Sequence, residues 1–462
     1  MRISKLKWNN HPIIGSLQMD LQKEDGTPYK TIVLAGENGS GKTAVLDCIF
    51  RYFAGYPLQN VNQPVVDEKL TLELFFDDID NVCDTSGRSL LKAMSTADLS
   101  SANRTRTIFY DCDNLEVERQ NSEIVSARAT YSQVAINFNS QEIKNTTDGD
   151  LDKNDKESEK SSDNLATEIK QLFLDINKEE GVESNQWMDE NLGRPPEIIR
   201  RRKSGRFKKA FERVFGNSLK FKGIKGVEVL FEKNGVDVPI DQLSSGEKQI
   251  VFRGGFLLRN QGTLAGTVIL IDEPELSMHP KWQERIFDFY QELFTNESRE
   301  QTSQLFIATH SEYVLRSGLA KRNDTLIIKM SNEGSIIEAN KIEAPSVLAS
   351  ITSAEVNYLV FGIVSIDYHI ELYGYLQSLI MKDSVKDCDS YIVSHNKYDS
   401  TLHGKSDSYT YKGNTTQYQT LPTFIRNAID HPNSGRIYSN DELLSSIKLL
   451  IEICRSITSP VS

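Results

Sequence analysis

The sequence predicts an α/β protein, with a parallel-sheet core carrying a long insertion and a mainly helical C-terminal domain. Three observations carry that prediction. TIVLA (31–35), TVILI (267–271) and QLFIA (304–308) are apolar runs without polar alternation, as strands buried on both faces of a sheet require. Each run is followed by a helical pattern, and strand–helix alternation builds a parallel sheet. Beyond about residue 345 the strand signals give way to helical spacing.

Taken in order, the first strand leads through GENGSGKT (36–43) into the helical AVLDCIFRYF. An insertion, about 75–240, comes next. Its segment 141–164 is polar, acidic and almost free of apolar residues, the composition of a disordered loop. Past it, Leu165, Ile169, Leu172, Phe173 and Ile176 mark an amphipathic helix. A second helix, after Pro195-Pro196, carries Phe207, Ala210, Phe211 and Val214. After the second core strand, Trp282, Ile286, Phe289, Tyr290 and Leu293 recur at helical spacing, with Pro280 at the helix start. The expected division is a head over 1–344 and a C-terminal domain over 345–462. In that domain a helix ends at His431-Pro432 and another is capped around Ser439 to Asp441.

A net charge of −12 over 462 residues excludes a uniformly basic surface, so any nucleic-acid site must be a local patch. The candidate is Arg200, Arg201, Arg202, Lys203, Arg206, Lys208 and Lys209. It could grip a phosphate backbone, pair with the acidic loop or an acidic partner, or form a solvated helix face. The five cysteines form no CxxC pair, and neither a signal-peptide core nor a run of 18 apolar residues occurs. The expectation is a cytoplasmic protein without a membrane partner.

The chemistry lies in four motifs. In GENGSGKT, Asn38, Gly39, Ser40, Gly41, Lys42, Thr43 and the following Ala44 form a strand–loop–helix phosphate cradle. Lys42 can reach the β- and γ-phosphates of ATP, and Thr43 can place its hydroxyl on Mg²⁺. VILIDEP (268–274) ends a buried strand in two carboxylates. Asp272 would hold Mg²⁺ through water, and Glu273 would orient or deprotonate the attacking water. LSSGEKQ (243–249) opens a helix with Ser245, Gly246 and Glu247, an anion-binding N-terminus. LFIATHS places His310 just past a buried strand.

These motifs, in this order, resemble an ABC-type ATPase head, and LSSGEKQ with IDEPELSMHP is closer to its SMC-like and OLD-like branch than to transporters. The resemblance implies that two heads pair head to tail, Ser245 of one meeting the γ-phosphate held by the other. It also implies a D-loop at Ser277–Pro280, a switch histidine at His310 and a metal-facing Q-loop glutamine. Gln133 is the candidate for the last, with Gln141 the alternative.

The tail admits two readings. FIRNAIDHP (424–432) spaces Arg426, Asn427 and His431 as in HEPN ribonucleases, which implies an ATPase-gated RNase of the anticodon-nuclease type with Arg426 and His431 as its pair. A helix-terminal His and an Arg426–Asp430 pair account for the same residues without catalysis. The complete layout is similar to the PtuA family, ATPases of Septu-type anti-phage systems including those attached to retrons. That likeness implies an oligomeric ATPase controlling an HNH endonuclease of the PtuB type, with the helical tail as docking domain. A retron reverse transcriptase and its DNA are further implied partners. This chain carries no HNH set of its own. A DNA-repair ATPase is the third reading, against which the insertion shows no heptad coiled coil.

Overall fold

The computed structural model describes residues 2–54, 56, 70–76, 90–98, 104–111, 116–117, 128–134, 137–141, 143, 145–147, 149, 151–153, 157–201, 203–296, 298–334, 336–342, 347–411 and 414–458. The chain divides into two compact units, Met1–Lys341 and Ile342–Ser462, three residues earlier than the sequence suggests.

The first unit is built on a seven-stranded sheet. Its strands are β3 (Thr31–Ala35), β8 (Ala129–Ser132), β9 (Glu159–Lys160), β13 (Val268–Asp272), β14 (Gln304–Thr309), β15 (Thr325–Glu333) and β16 (Ile336–Lys341). They run in the order β16-β15-β3-β14-β13-β8-β9. All pairings are parallel except that of β16, antiparallel at the edge. Every residue of β3, β13 and β14 is buried, which is why these strands show no polar alternation.

A second, antiparallel sheet has no clear sequence signal. It contains β1 (Ile3–His11), β2 (Gly15–Asp20), β4 (Leu70–Phe76), β5 (Leu90–Asp98), β6 (Arg104–Asp111) and β7 (Glu116–Val117), ordered β2-β1-β4-β5-β6-β7. Trp8, Leu17, Leu72 and Leu74 from this sheet share one core with Ile32, Leu34 and Phe306 of the parallel sheet and with α1 (Lys42–Ala54).

The insertion also holds α2 (Leu165–Glu190), α3 (Glu197–Arg200), α4 (Gly205–Phe215) and a three-stranded sheet of β10 (Lys220–Lys225), β11 (Glu228–Lys233) and β12 (Val236–Pro239). Phe173, Phe207, Phe211, Phe221 and Phe231 form its aromatic core, with ring centroids 5.0–6.5 Å apart. Behind it lies α5 (Ser245–Arg259). The remaining helices, α6 (Pro280–Leu293) and α7 (Glu312–Leu319), come after β13 and β14. His279 caps α6 with Pro280 in its first turn, as expected.

The acidic segment 141–164 departs from the disordered-loop expectation wherever it is described. Its charges meet specific partners: Asp152 bonds Arg206 and the Gly262 amide, Glu159 bonds Arg259 and Asn260, and Lys160 bonds Asp47. Composition marks the segment as polar, but these partners come from distant elements.

The second unit is mainly helical, with α8 (Ser353–Phe361), α9 (Ile366–Leu379), α10 (Val385–Ser394), α11 (Ser400–His403), α12 (Leu421–Asp430) and α13 (Asn440–Thr458). The polar stretch before α12 is a hairpin of β17 (Gly404–Tyr411) and β18 (Asn414–Thr420). Tyr368, Leu372, Leu376, Ile392, Ile425, Ile447 and Leu450 centre its core. Among the described residues no helix is long and apolar enough to cross a membrane.

Candidate nucleotide site

The loop between β3 and α1 is drawn tight by its neighbours. A Cβ on Gly36 would lie 2.2 Å from the Met330 carbonyl oxygen, so only glycine fits there. Lys42 is buried and donates from Nζ to the Gly36 and Glu37 carbonyls, 2.8 Å each. Burial lowers its pKa, and the facing carboxylates of Glu273, Asp272 and Glu275 oppose that shift. A cavity of about 490 Å³ opens beside the loop, a volume suited to a small-molecule cofactor. Asn38, Gly39, Gly41, Lys42, Thr43 and Ala44 line it from one side; Tyr131, Gln133, Lys160 and Glu273 line it from others. Ser40 is buried behind the loop.

β13 ends at Asp272, whose Oδ1 is buried without a hydrogen-bond partner among the described residues. Burial pushes this carboxyl up to about 6, against the Thr43 hydroxyl that hydrogen-bonds it. An orphaned, desolvated carboxylate oxygen beside a threonine hydroxyl has the donor chemistry for a hard divalent cation. Asp272 and Thr43 therefore fit Mg²⁺. Gln133 lines the cavity, whereas Gln141 donates its backbone N–H to the Thr167 hydroxyl and lines a different one.

Parallel pairing sets the course of the chain beyond β13. Asp272 sits opposite Ala308 and the Glu273 amide donates to the Ala308 carbonyl, which brings the segments after β13 and β14 side by side. His310 Nδ1 lies 3.4 Å from Glu273 Oε1 and 4.0 Å from Glu275 Oε1. The sequence reading missed Glu275. It is buried and accepts from the Thr309 hydroxyl at 2.6 Å and the His310 amide at 3.1 Å, so it aims the histidine. An acidic residue two positions past Glu273 was the available signal. Glu273 and Ser277 both hold left-handed backbone, φ 44° and 61°, at about 1–2 kcal/mol each for a residue with a Cβ.

The LSSGEKQ segment differs in one detail. Ser244 is the N-cap of α5 and forms a capping box with Glu247, while Ser245 is the first helical residue. Glu247 is buried and further bound to Lys233, so its carboxylate serves the helix end. Ser244 and Ser245 are exposed. Gly246 passes beneath the following loop, where a Cβ would lie 2.6 Å from the Ser277 carbonyl oxygen. Deeper in α5, fully buried Arg253 donates to Gln249 Oε1 (2.8 Å), the Asp272 carbonyl (2.6 Å) and the Val134 carbonyl (3.0 Å). One guanidinium thus joins α5, the end of β13 and the segment after Gln133.

The basic run is largely consumed within the fold. Lys203 pairs with Glu179, Arg206 with Asp152, and Arg201 and Lys208 with Glu197; Arg202 lies outside the described residues. This favours the reading in which the run pairs with acids, one of them in the 141–164 segment.

In the second unit, Arg426 pairs with Asp430 at 2.7 Å and donates to Asn427 Oδ1. Asn427 and Arg436 both bind Asp407. His431 ends α12 and stacks on Tyr409, centroids 5.2 Å apart and 7° from parallel. Asp389 accepts from the Gln419 and Thr420 amides, which anchors the hairpin.

Residues 32–316 match the family model described as "AAA domain, putative AbiEii toxin, Type IV TA system". "Retron Vc95 probable ATPase" of Vibrio cholerae serotype O1 biovar El Tor is 32% identical over 110 residues, 22% of this chain and 19% of that one. "Retron Ec83 probable ATPase" of Escherichia coli is 32% identical over 97 residues, 19% of this chain and 17% of that one. The matched regions span under a fifth of these relatives' length. Among solved structures, an SmcHead bound to the C-winged helix domain of ScpA aligns with TM-score 0.45 at 15% identity, covering 74% of this chain and 98% of that one.

Proposed function

The chain belongs to the AAA-domain ATPase family whose model covers residues 32–316, and on that premise we propose that it is the ATP-binding and ATP-hydrolysing regulatory subunit of an anti-phage defence complex, controlling a partner HNH endonuclease. The observation that carries the ATPase part is the convergence of Lys42, Thr43 and Glu273 on one cavity, with Asp272 hydrogen-bonded to Thr43 and His310 3.4 Å from Glu273. In hydrolysis a water oxygen bonds to the γ-phosphorus as the bond to the β–γ bridging oxygen breaks, and the water must lose a proton. Glu273 accepts that proton, and His310, aimed by Glu275, steadies the carboxylate. Lys42 exchanges its two carbonyl partners for phosphate oxygens. Bound Mg²⁺ would supply charge neutralisation for the phosphates, held by Thr43, Asp272 and Gln133.

The exposed Ser244 and Ser245 at the start of α5 support a head-to-tail pair, in which Ser245 and the helix N-terminus at Gly246 of one copy meet the nucleotide of the other, with Ser244 capping the same helix end. Higher oligomers, a PtuB-like nuclease docked on the second unit, and a retron reverse transcriptase with its DNA complete the reading. The retron names of the curated relatives support it. Arg426 and His431 act here as a helix end and partner-docking turn, since both already have intrachain partners.

Glu273→Gln tests the assignment. It is expected to abolish turnover, trap ATP and stabilise the dimer in size-exclusion chromatography; persistent hydrolysis would show that another group takes the proton. Incubation of the wild type with tRNA, without metal, should leave the RNA intact. Cleavage that disappears in His431→Ala would replace this reading with the ribonuclease.

A further inference from the structure

The two-residue strand β9 ties the far end of α5 to the nucleotide cavity, and neither residue belongs to a motif. Glu159 points one way, accepting from Arg259 and, at 2.8 Å, from Asn260 Nδ2 at the end of α5. Lys160 points the other way, into the cavity. Its Nζ lies 2.9 Å from Asp47 Oδ1, 4.9 Å from the Tyr131 ring centroid and 5.6 Å from that of Phe50. With the Gln133 side-chain amide turned so that both its ends are satisfied, its oxygen accepts from Lys160 Nζ at 2.9 Å and its nitrogen donates to the carbonyl of Ser161, just past β9, at 3.2 Å. Its backbone amide also donates to Ser161 Oγ at 3.0 Å. Tyr131 in turn reaches Asp272 Oδ2 at 3.4 Å.

We propose that Lys160 is a positioning residue for ATP hydrolysis, setting Gln133 and, through Tyr131, Asp272, and that Glu159 links this setting to α5. The inference rests on the ATPase reading above. An ammonium between a carboxylate and two aromatic faces is held in place, because Asp47 neutralises it and the rings accept its charge. It can therefore fix an uncharged amide, which alone has no preferred direction in a wet cavity. Movement of α5 on pairing with a second copy is transmitted through Arg259 and Glu159 to β9, and from there to the glutamine.

The test is steady-state ATPase kinetics of the full-length protein, with nucleotide binding measured in parallel. Lys160→Gln should lower kcat roughly 3- to 30-fold, the range of coupling substitutions, with KM and ATP affinity within about twofold of wild type. Lys160→Arg keeps the cation and should restore most of kcat. Glu159→Gln should lower kcat likewise, and the double variant should fall no further than the worse single one. An unchanged kcat in Lys160→Gln overturns the inference, as does a raised KM with unchanged kcat, which would make Lys160 a direct nucleotide contact. Additive losses in the double variant overturn the link to α5. A wild type without turnover overturns the ATPase reading itself, and this inference with it.

Discussion

Arg253 offers the sharpest test of how the site is held together. Replacing it with Met keeps most of the volume but removes every donor. The structure shows three acceptors that would lose a partner: Gln249 Oε1 and the carbonyls of Asp272 and Val134. The Asp272 carbonyl and Gln249 Oε1 lie in the buried interior and the Val134 carbonyl is half-buried, and each buried acceptor left unpaired costs about 1–3 kcal/mol. The carboxylates of Asp272, Glu275 and Glu273 would also lose a facing cation. Relief of the guanidinium's own desolvation offsets part of this, so the expected net loss is about 3–5 kcal/mol, typical of a buried charge network broken on one side. For a domain of this size that corresponds to a fall of roughly 5 °C or more in the first thermal transition, read by scanning fluorimetry. Arg253→Lys, with charge but no fork, should fall between the two. A shift below about 1 °C with unchanged ATPase activity would refute the reasoning, since it would mean that the desolvation of Arg253 cancels its bonds.

Two further predictions concern packing and pH. Gly255→Ala would place a Cβ 2.7 Å from Ile169 Cγ2, between α5 and α2; overpacking should cost about 1–3 kcal/mol, seen as a lower denaturation midpoint. His11 is buried, accepts from the Ile13 and Ile14 amides, and is lowered to about 4 by desolvation. The unfolded chain therefore binds the proton first as pH falls from 6.5 to about 4, and up to about 3 kcal/mol of stability is lost across that window. His11→Asn, which keeps an acceptor but does not titrate, should remove this part of the pH dependence in denaturant titrations at pH 7 and pH 5.

Local rules made much of this protein legible. Unbroken apolar runs marked the buried strands, because a strand covered on both faces has no position for a polar residue. The glycine-rich turn with Lys42, the carboxylates closing β13, and the proline and capping residues bounding α6, α12 and α13 come from backbone chemistry within a few residues. By itself the sequence thus determined the core strands, the phosphate loop, the two carboxylates and the helical tail. Contacts between residues far apart in the chain could not be read that way. Glu275 behind His310, Arg253 bridging three segments, Asp152 and Glu159 holding down a segment whose composition suggests disorder, and the antiparallel sheet pairing β1 with β4 all depend on pairing decided by the packed chain. The same holds for the basic run, where charge alone left three readings and the positions of Glu179, Glu197 and Asp152 separate them. Only the tertiary structure decided these, because a charged or polar side chain takes its role from whichever partner the fold brings within hydrogen-bond reach.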